Sequence, residues 1–338
     1  MRSLVVAGIV AAVLLAGCSE RHRLSRGRAF HLEKVSYARL PGWREDKVLE
    51  AAPALAQSCR KPTAAMKGFC DGLPGHGQTP DRLRAHIEKH LTPYRVVSNG
   101  ADTGVITGYY EAELTGTRTK RDDTQRPIYG MPANKRHTGL RRAEIERHGS
   151  FDAPVIAWAD DPVDLFILHV QGSGRVKTPD GEIRLGYAGN NGHTFKALSR
   201  IMDEEGVPKS VRRSMTEMRA WLRQNPDRVR ELLAKNPRYI YFRKIAGQTP
   251  VGASGAVLTP LRSVAVDDAY IPMHTPMFLD TRDPDGYPLK RLVVAQDVGS
   301  AIKGPIRADF FWGHGDMSFH KAGRMKSAGS YYLLLPKE

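Results

Sequence analysis

Short β-rich runs separated by glycine, proline and aspartate fill most of the sequence after residue 103, and they constrain the fold most strongly. The runs are TGVITGYYEAEL, APVIAWA, DLFILHVQG and GEIRLGYAG, followed after Tyr239 by YIYFRKI, SVAVD, PMFLD, RLVVAQD, ADFFWG and YYLLLP. Their length and their content of β-branched and aromatic residues predict strands. Because long excursions interrupt many short strands, the pattern predicts barrels rather than a parallel sheet with regular crossovers.

Helical periodicity is confined to three predicted segments, 45–58, 79–91 and 194–235. The second begins with Thr79-Pro80-Asp81, in which a capping residue precedes a first-turn proline and an acid. The third carries one apolar face that Pro208 and Pro226 limit. The sequence therefore predicts a mostly β fold with flanking helices.

The chain is long and strongly basic. Its 338 residues exceed the usual size of one hydrophobic core, which predicts two domains. The net charge of +15 favours a polyanionic partner: nucleic acid, anionic lipid or a polymer that carries carboxylates. Since the sequence contains no zinc-finger spacing, helix-turn-helix pattern or basic-aromatic RNA signature, we expect no nucleic-acid partner.

The N-terminal residues have the pattern of an export signal. Met1-Arg2 precedes an apolar run that is too short to span a membrane, and LAGC follows at 15–18. This ending resembles a bacterial lipobox, which predicts a signal peptide over 1–17 and acylation of Cys18; the alternative is a plain signal peptide cut nearby. By resemblance to such lipoproteins, Ser19 favours the outer membrane. Residues 18–44 are predicted to be a tether whose basic start contacts anionic head groups.

Two further cysteines, Cys59 and Cys70, lie close together in the sequence. In an oxidising periplasm such a pair can form a disulfide that closes a short loop. The alternative is two unpaired cysteines that pack as small apolar residues, because the sequence does not give the Cα separation that a bridge needs. We favour the bridge.

Other catalytic or cofactor-binding signatures are incomplete. GSG at 172–174 is too short for a dinucleotide site, AIKG lacks the spacing of a phosphate loop, and GASG at 252–255 does not complete a nucleophile elbow. His314, Asp316 and His320 are residue types that can bind a metal, but their glycine-bearing surroundings favour a solvated turn. We therefore predict no metal and no cofactor.

Asp309 is the strongest candidate for an acid catalyst. Ile306 precedes it, and Phe310, Phe311 and Trp312 follow it. An apolar setting raises the pKa of a carboxyl group, which lets it donate a proton near neutral pH. If 308–313 is a strand, Asp309 and Phe311 share one face. The alternative is a structural acid that accepts hydrogen bonds from backbone amides.

Seven segments carry recognisable motifs: LPGW (40–43), TGYYEAEL (107–114), DPVDLFILHVQGSGRV (161–176), YAGNNGHTF (187–195), LTPLRSVAVDDAYIP (258–272), AQDVGSAIKGPIRADFFWGHG (295–315) and the closing GSYYLLLP. In this order they resemble the membrane-bound lytic murein transglycosylase A family. The resemblance extends from about residue 40 to residue 338. Departures are modest: Ala112, Val298 and Ser300 replace residues that are more frequent in the family.

This resemblance implies a fold and a catalytic residue. The family fold is a double-psi β-barrel interrupted by a smaller β-barrel, so we expect residues 45–108 and 243–338 to form the catalytic barrel and 109–242 to form an inserted domain. The C-terminal part is similar to the three-aspartate domain, whose acids correspond to Asp267, Asp297 and Asp309. Asp309 matches the catalytic acid/base of the family. Asp297 is expected to orient it or to anchor the barrel, and Asp267 to be structural.

The resemblance also places the glycan in the groove between the two domains. The candidate groove residues are Thr107, Tyr109, Glu111, Gln171, Ser173, Lys303 and Arg307, with barrel core as the alternative for Tyr109. The implied activity is cleavage of the MurNAc–GlcNAc bond of peptidoglycan without water, by a lipid-anchored protein that faces the periplasm. Other cell-wall enzymes are candidate partners. Two alternatives stay open, a lysozyme-like hydrolase and a non-catalytic murein-binding lipoprotein.

Overall fold

The computed structural model describes residues 30–60, 62–73, 79–150, 152–247 and 250–337. The strands in these ranges are β1 (Phe30–Lys34), β2 (Leu91–Ser98), β3 (Gly104–Thr117), β4 (Arg126–Tyr129), β5 (Val155–Ala159), β6 (Gly174–Thr178), β7 (Gly181–Asn190), β8 (Ile240–Lys244), β9 (Ser263–Val266), β10 (Pro276–Arg282), β11 (Pro288–Val298), β12 (Arg307–His314) and β13 (Lys326–Pro336). The α-helices are α1 (Ala52–Ser58), α2 (Lys67–Asp71), α3 (Pro80–His90), α4 (Arg142–His148), α5 (Pro162–Gln171), α6 (Leu198–Glu204), α7 (Met215–Gln224), α8 (Pro226–Ala234) and α9 (Asp316–Arg324). The fold is mostly β, as predicted.

The strands β3, β12, β9, β11, β10 and β13 form a closed ring, because β13 pairs with both β10 and β3. The β12–β3 and β11–β9 pairs are parallel, and the other pairs in the ring are antiparallel. Alternate residues of these strands point inward and form one apolar core, which includes Ile106, Val264, Met277, Phe310 and Leu333. Closure leaves none of these strands with a free edge.

The long strand β3 connects this ring to a second group of strands. Its first half pairs with β12 and β13, whereas residues 112–115 pair with β6 and residues 116–117 pair with β5. From β6 the sheet continues through β7 to β8. The helices α5 to α8 and part of α9 pack with these strands around a separate apolar core. One strand thus carries side chains from the ring into the second core.

Residues 30–44 are ordered, so the predicted tether is wrong for this part. The strand β1 pairs with β2, and Trp43 is buried against Phe278, with its Nε1 donating to Glu88 at 2.7 Å. The apolar residues of LPGW explain the difference, because Leu40 and Trp43 complete the core between the ring and the helices α1 and α3. Cys18 and the rest of the predicted tether and signal peptide, residues 1–29, lie outside the described residues.

The run DLFILHVQG, predicted as a strand, is the helix α5. Asp161 caps it by accepting from the Val163 N–H at 2.7 Å, Pro162 occupies its first turn, and Gly172 ends it in the left-handed region. Six of its residues are buried, from Val163 to His169. A helix that is apolar on all sides shows no helical period, which makes it resemble a buried strand in sequence.

Two further predictions and one strand that was not predicted can be compared with the structure. The glycine-bearing segment that was expected to be a turn contains α9, which begins at Asp316. The strand β2, which was not predicted, directly follows α3. Cys59 and Cys70 form the expected disulfide, with a Cα–Cα separation of 5.3 Å. Within the described ranges, no helix has both the length and the apolar character to cross a membrane.

Candidate active site

A row of five side chains crosses the outer face of the ring. Asp297 and Asp309 are each opposite Ala265, Asp309 is opposite Thr107, and Thr107 is opposite Lys326. Residues directly opposite each other on neighbouring strands project to the same face of a sheet. Both candidate carboxyl groups therefore face the same side, and only the small side chain of Ala265 separates them.

The alternation of β12 places Asp309 in this row. Ala308 and Phe310 are fully buried in the interior of the ring, whereas Asp309 and Phe311 project outward. The predicted face-sharing of Asp309 and Phe311 is therefore confirmed. Phe311 packs on Tyr109, with 5.1 Å between the ring centroids, and provides an apolar wall beside the carboxyl group.

Asp309 is half-buried, and protein atoms crowd its carboxyl group. Burial raises its pKa to about 6, and the charge of Asp297 adds to this rise. Two effects limit this rise of the pKa. Thr107 Oγ1 donates a hydrogen bond of 2.5 Å to Oδ1, and the positive charge of Arg307 stabilises the carboxylate. A carboxyl group with this pKa exists in both protonation states near neutral pH, as proton transfer in both directions requires.

Asp297 is held by three donors. The backbone N–H groups of Ala253 and Val298 each donate to Oδ1 at 2.9 Å, and Tyr109 Oη donates to Oδ2 at 3.1 Å. Burial nevertheless raises the pKa of Asp297, and these hydrogen bonds oppose the rise. An irregularity in β11 between Ala295 and Asp297 turns the aspartate into the outward row. Bulges commonly re-aim a side chain in this way.

Asp267 lies away from the row and holds a loop. It is buried, and its Oδ2 accepts from the Gly304 N–H at 2.8 Å, while Lys303 Nζ lies 3.4 Å from Oδ1. These contacts fix the segment between β11 and β12. Lys303 is thus placed on Asp267 and not beside Asp309.

Two of the remaining candidate groove residues have side-chain partners within the chain. Glu111 is fully buried and accepts from Arg175 Nε at 2.7 Å, so it lies in an ion pair below the surface. Gln171 Oε1 accepts from the Tyr110 N–H at 3.1 Å. Ser173 is half-buried.

Arg307 lies along the backbone of the ring. Its Nη1 donates to Val105 O at 3.2 Å and to Ala308 O at 2.6 Å. Burial lowers the pKa of this guanidinium, while the nearby Asp309 opposes the change. Its charge is near enough to lower the pKa of Asp309, although its hydrogen bonds go to the backbone.

Two features of the site were missed in the sequence. The GASG segment, rejected as a nucleophile elbow, supplies the Ala253 N–H that holds Asp297. No local pattern marks Lys326, because only the pairing of β13 with β3 brings it into the row. Within the described ranges no cluster of three potential metal ligands occurs, and His314 Nδ1 lies 3.1 Å from Glu113 Oε1.

Family comparisons cover both parts of the fold. Residues 105–243 match the profile described as the MltA specific insert domain, and residues 262–335 match the 3D domain. The solved structure of the lytic transglycosylase LtgG of Burkholderia pseudomallei is 40% identical, with 91% of this chain and 96% of that chain covered and a TM-score of 0.67. MltA from Neisseria gonorrhoeae is 32% identical, with 92% and 94% covered and a TM-score of 0.81.

A sequence and a solved structure from Escherichia coli add to this comparison. The membrane-bound lytic murein transglycosylase A of strain K12 is 35% identical over 239 residues, which are 68% of this chain and 65% of that protein. The matched region therefore spans just under two thirds of this curated relative. A structure of E. coli MltA with bound chitohexaose is 28% identical, with 85% of this chain and 90% of that chain covered and a TM-score of 0.70.

Proposed function

The chain belongs to the membrane-bound lytic murein transglycosylase A family, and we propose that it cleaves the β-1,4 bond between MurNAc and GlcNAc in peptidoglycan, leaving 1,6-anhydromuramic acid ends. The observation that carries this proposal is the half-buried carboxyl group of Asp309 on the outer face of the ring, whose pKa is raised to about 6. The relatives are named for the same reaction. The proposed role of this protein in the cell is cell-wall turnover and recycling.

In the first step Asp309 acts as a general acid. Its proton passes to the glycosidic oxygen, the bond to C1 of MurNAc breaks, and GlcNAc leaves with a free hydroxyl group. The sugar gains oxocarbenium character in the transition state, as in other glycosidic cleavages. Thr107 holds the carboxyl group in one orientation through its hydrogen bond of 2.5 Å.

In the second step the carboxylate of Asp309 acts as a base. It takes the proton of the C6 hydroxyl group of the same MurNAc, whose oxygen attacks C1 and closes the anhydro ring. No water is consumed, and Asp309 regains its proton. One carboxyl group therefore serves both steps, so Asp297 need not activate a water molecule. Its three hydrogen-bond donors instead support a role in anchoring β11 and shaping the site.

We propose a two-domain arrangement around this site. The closed ring corresponds to a double-psi β-barrel built from 45–108 and 243–338, and the strands beyond residue 109 correspond to the inserted smaller barrel over 109–242. The crossing of β3 from one core into the other supports this division. The glycan strand would lie between them, against Thr107, Tyr109 and Arg307. Gln171, Ser173, Glu111 and Lys303 have partners or positions that favour an indirect role.

We propose attachment to the outer membrane through acylated Cys18, facing the periplasm. The LAGC sequence and the membrane-bound character named for the relatives support this location. The Cys18→Ala variant should be released in soluble form and remain active. Retention of that variant with membranes would contradict a lipid anchor. Other cell-wall enzymes remain candidate partners.

Mass spectrometry of digested sacculi tests the reaction. A lytic transglycosylase releases anhydromuropeptides, which are lighter by one water than the products of a lysozyme-like hydrolase. A murein-binding lipoprotein releases neither product. The Asp309→Asn variant is the control for contaminating activity, since it removes both the acid and the base. If the purified protein released products with reducing ends, it would be a hydrolase, and the proposed reaction would be excluded.

A further inference from the structure

The outer face of the ring continues beyond Thr107 into a second groove that the proposed reaction does not use. This cavity has a volume of about 640 Å³ and lies over β10, the start of β11 and the start of β13. Its charged lining residues are Asp280, Arg282, Asp283, Lys290, Arg324 and Lys326. Cations outnumber carboxylates here, and we call this cavity the basic groove.

Neighbouring groups in the fold already balance most charges of the basic groove. Arg324 Nη1 lies 3.1 Å from Asp285 Oδ1, and Lys290 Nζ lies 3.8 Å from Asp280 Oδ1. Burial raises the pKa of Asp280, which disfavours its ionised form. Arg324 is therefore held by an acid of the chain, Lys290 is held only weakly, and Arg282 donates to the backbone oxygen of Gly286.

Lys326 differs from these residues. It is exposed, and among the described residues its ammonium group has no ion-pair or hydrogen-bond partner. Its position opposite Thr107 puts it on the same face as Asp309, two strands away. Since neighbouring strands lie about 4.8 Å apart, the two backbone positions are roughly 10 Å apart, within reach of one extended substrate.

The surface next to Lys326 can accommodate a substrate chain. Val105 is 42% exposed, Ala328 is also exposed, and the two residues are opposite each other on β3 and β13. Arg307, opposite Val105 on β12, bounds this apolar strip on one side, and Arg282 lies at the other end. An apolar strip between cations suits a short peptide that carries carboxylates.

We propose that Lys326 is a substrate-positioning residue that binds a carboxylate carried by the MurNAc unit at the cleavage site, with the stem peptide lying in the basic groove. This inference rests on the proposed function. In MurNAc the lactyl group on C3 bears the stem, and C1 of the same sugar is the carbon whose bond breaks. When the stem is present the lactyl carboxyl group is amidated, so the free carboxylates of the unit belong to the stem and extend away from C1. A cation that binds such a carboxylate must lie on the same face as Asp309 but at some distance from it. Lys326, two strands away, has this position.

Three variants test the role of this charge. Lys326→Met removes the charge and keeps most of the side-chain length, whereas Lys326→Arg keeps the charge. Lys89→Met removes an equivalent exposed charge from α3, on the helical side of the ring. For glycan strands that carry stem peptides, Lys326→Met should raise KM about threefold to fivefold, as expected for a partly exposed ion pair. The kcat should stay unchanged, and Lys326→Arg and Lys89→Met should behave like the parent protein.

The source of the carboxylate is identified with a second substrate. Strands treated with an amidase have lost the stem and expose the lactyl carboxylate instead. If the stem is the ligand, Lys326→Met and the parent should have the same KM for stem-free strands. A KM effect confined to stem-free strands would assign the lactyl group and overturn the placement of the stem. An unchanged KM on both substrates, or a loss in kcat alone, would overturn the whole inference.

Binding measured without turnover separates this inference from the proposed reaction. In the Asp309→Asn background, Lys326→Met should weaken cosedimentation with sacculi at low salt but leave the affinity for neutral chitohexaose unchanged. At about 1 M salt the difference should vanish, because the Debye length falls to about 3 Å. Equal weakening for sacculi and chitohexaose would indicate a structural role and contradict the inference. Failure to form anhydro products would contradict the reaction without affecting these binding measurements.

Discussion

Thr107 Oγ1 donates a hydrogen bond of 2.5 Å to Asp309 Oδ1, although the two residues are 202 positions apart in the sequence. The parallel pairing of β3 with β12 sets this contact. A hydroxyl group that donates to a carboxylate stabilises its ionised form and lowers its pKa. Burial acts in the opposite direction and prevails, so the pKa of Asp309 rests at about 6. Both effects can be tested separately.

The Asp309→Asn variant should lose turnover and keep its affinity for glycan. The amide preserves the shape of the side chain but can neither donate an acidic proton nor accept one as a base. We expect release of anhydromuropeptides to fall at least about a hundredfold, the usual effect of losing a general acid. Binding to sacculi should persist, because the lost group acts mainly in the transition state. Near-parental turnover would contradict the assignment of Asp309 and leave Asp297 as the carboxyl group on the same face.

The Thr107→Val variant should shift the pH dependence of kcat/KM. The protonated acid is the active form in the first step, so activity should fall as the pH rises through about 6. Without the hydroxyl donor the pKa of Asp309 rises further, and the descending limb should move to higher pH. Thr107→Ser keeps the donor and should retain the parental limb. A limb that moves to lower pH, or that moves equally in both variants, would contradict this account.

The stability difference between Asp309→Asn and the parent should depend on pH. The pKa of Asp309 is about 6 in the folded state and about 3.9 in an unfolded chain, so the folded state binds the proton more tightly. The parent therefore loses stability relative to the variant as the pH rises from about 4 to about 6. Between pH 4 and pH 7 the stability difference should shift in favour of the variant by on the order of 2 kcal/mol, allowing for solvent screening. Urea unfolding across this range measures the difference, and a constant gap would contradict the raised pKa.

Asp297→Ala should lower stability and activity together. It leaves the N–H groups of Ala253 and Val298 and the hydroxyl of Tyr109 without their acceptor. Of these donors only the Tyr109 hydroxyl belongs to a buried residue. Leaving a buried donor unsatisfied costs about 1–3 kcal/mol, so thermal unfolding should shift to lower temperature. Asp297→Asn retains one oxygen acceptor and should lose less. A variant with parental stability but no turnover would instead make Asp297 a chemical participant.

Removal of the disulfide should lower the free energy of unfolding without changing the chemistry. The bridge joins residues 11 positions apart and links α1 to α2. Closing a loop of this size contributes about 3 kcal/mol in the chain-entropy description. Replacement of Cys59 and Cys70 by alanine should therefore reduce the urea midpoint and leave kcat unchanged at low temperature. Dithiothreitol should destabilise the parent to the same level and leave the double variant unaffected.

Local sequence determined much of the secondary structure and the chemical character of Asp309. Alternation fixed which residues of β12 face inward, since successive side chains of a strand point to opposite faces. The capping sequence at Thr79 marked the start of α3, where its side chain accepts from the Arg82 N–H. The apolar neighbours of Asp309 indicated a raised pKa before any contact was known. Such properties depend on residues within a few positions of each other, so the local sequence predicts them.

The tertiary structure alone decided how the site is assembled. Thr107, Asp309, Ala265 and Asp297 come from four strands, and their alignment depends on register and on the irregularity in β11. Lys326 enters the row only because β13 closes the ring against β3. The helix α5 was mistaken for a strand because burial on all sides removed its period. Strand pairing and burial join residues far apart in the sequence, and no local pattern contains that information.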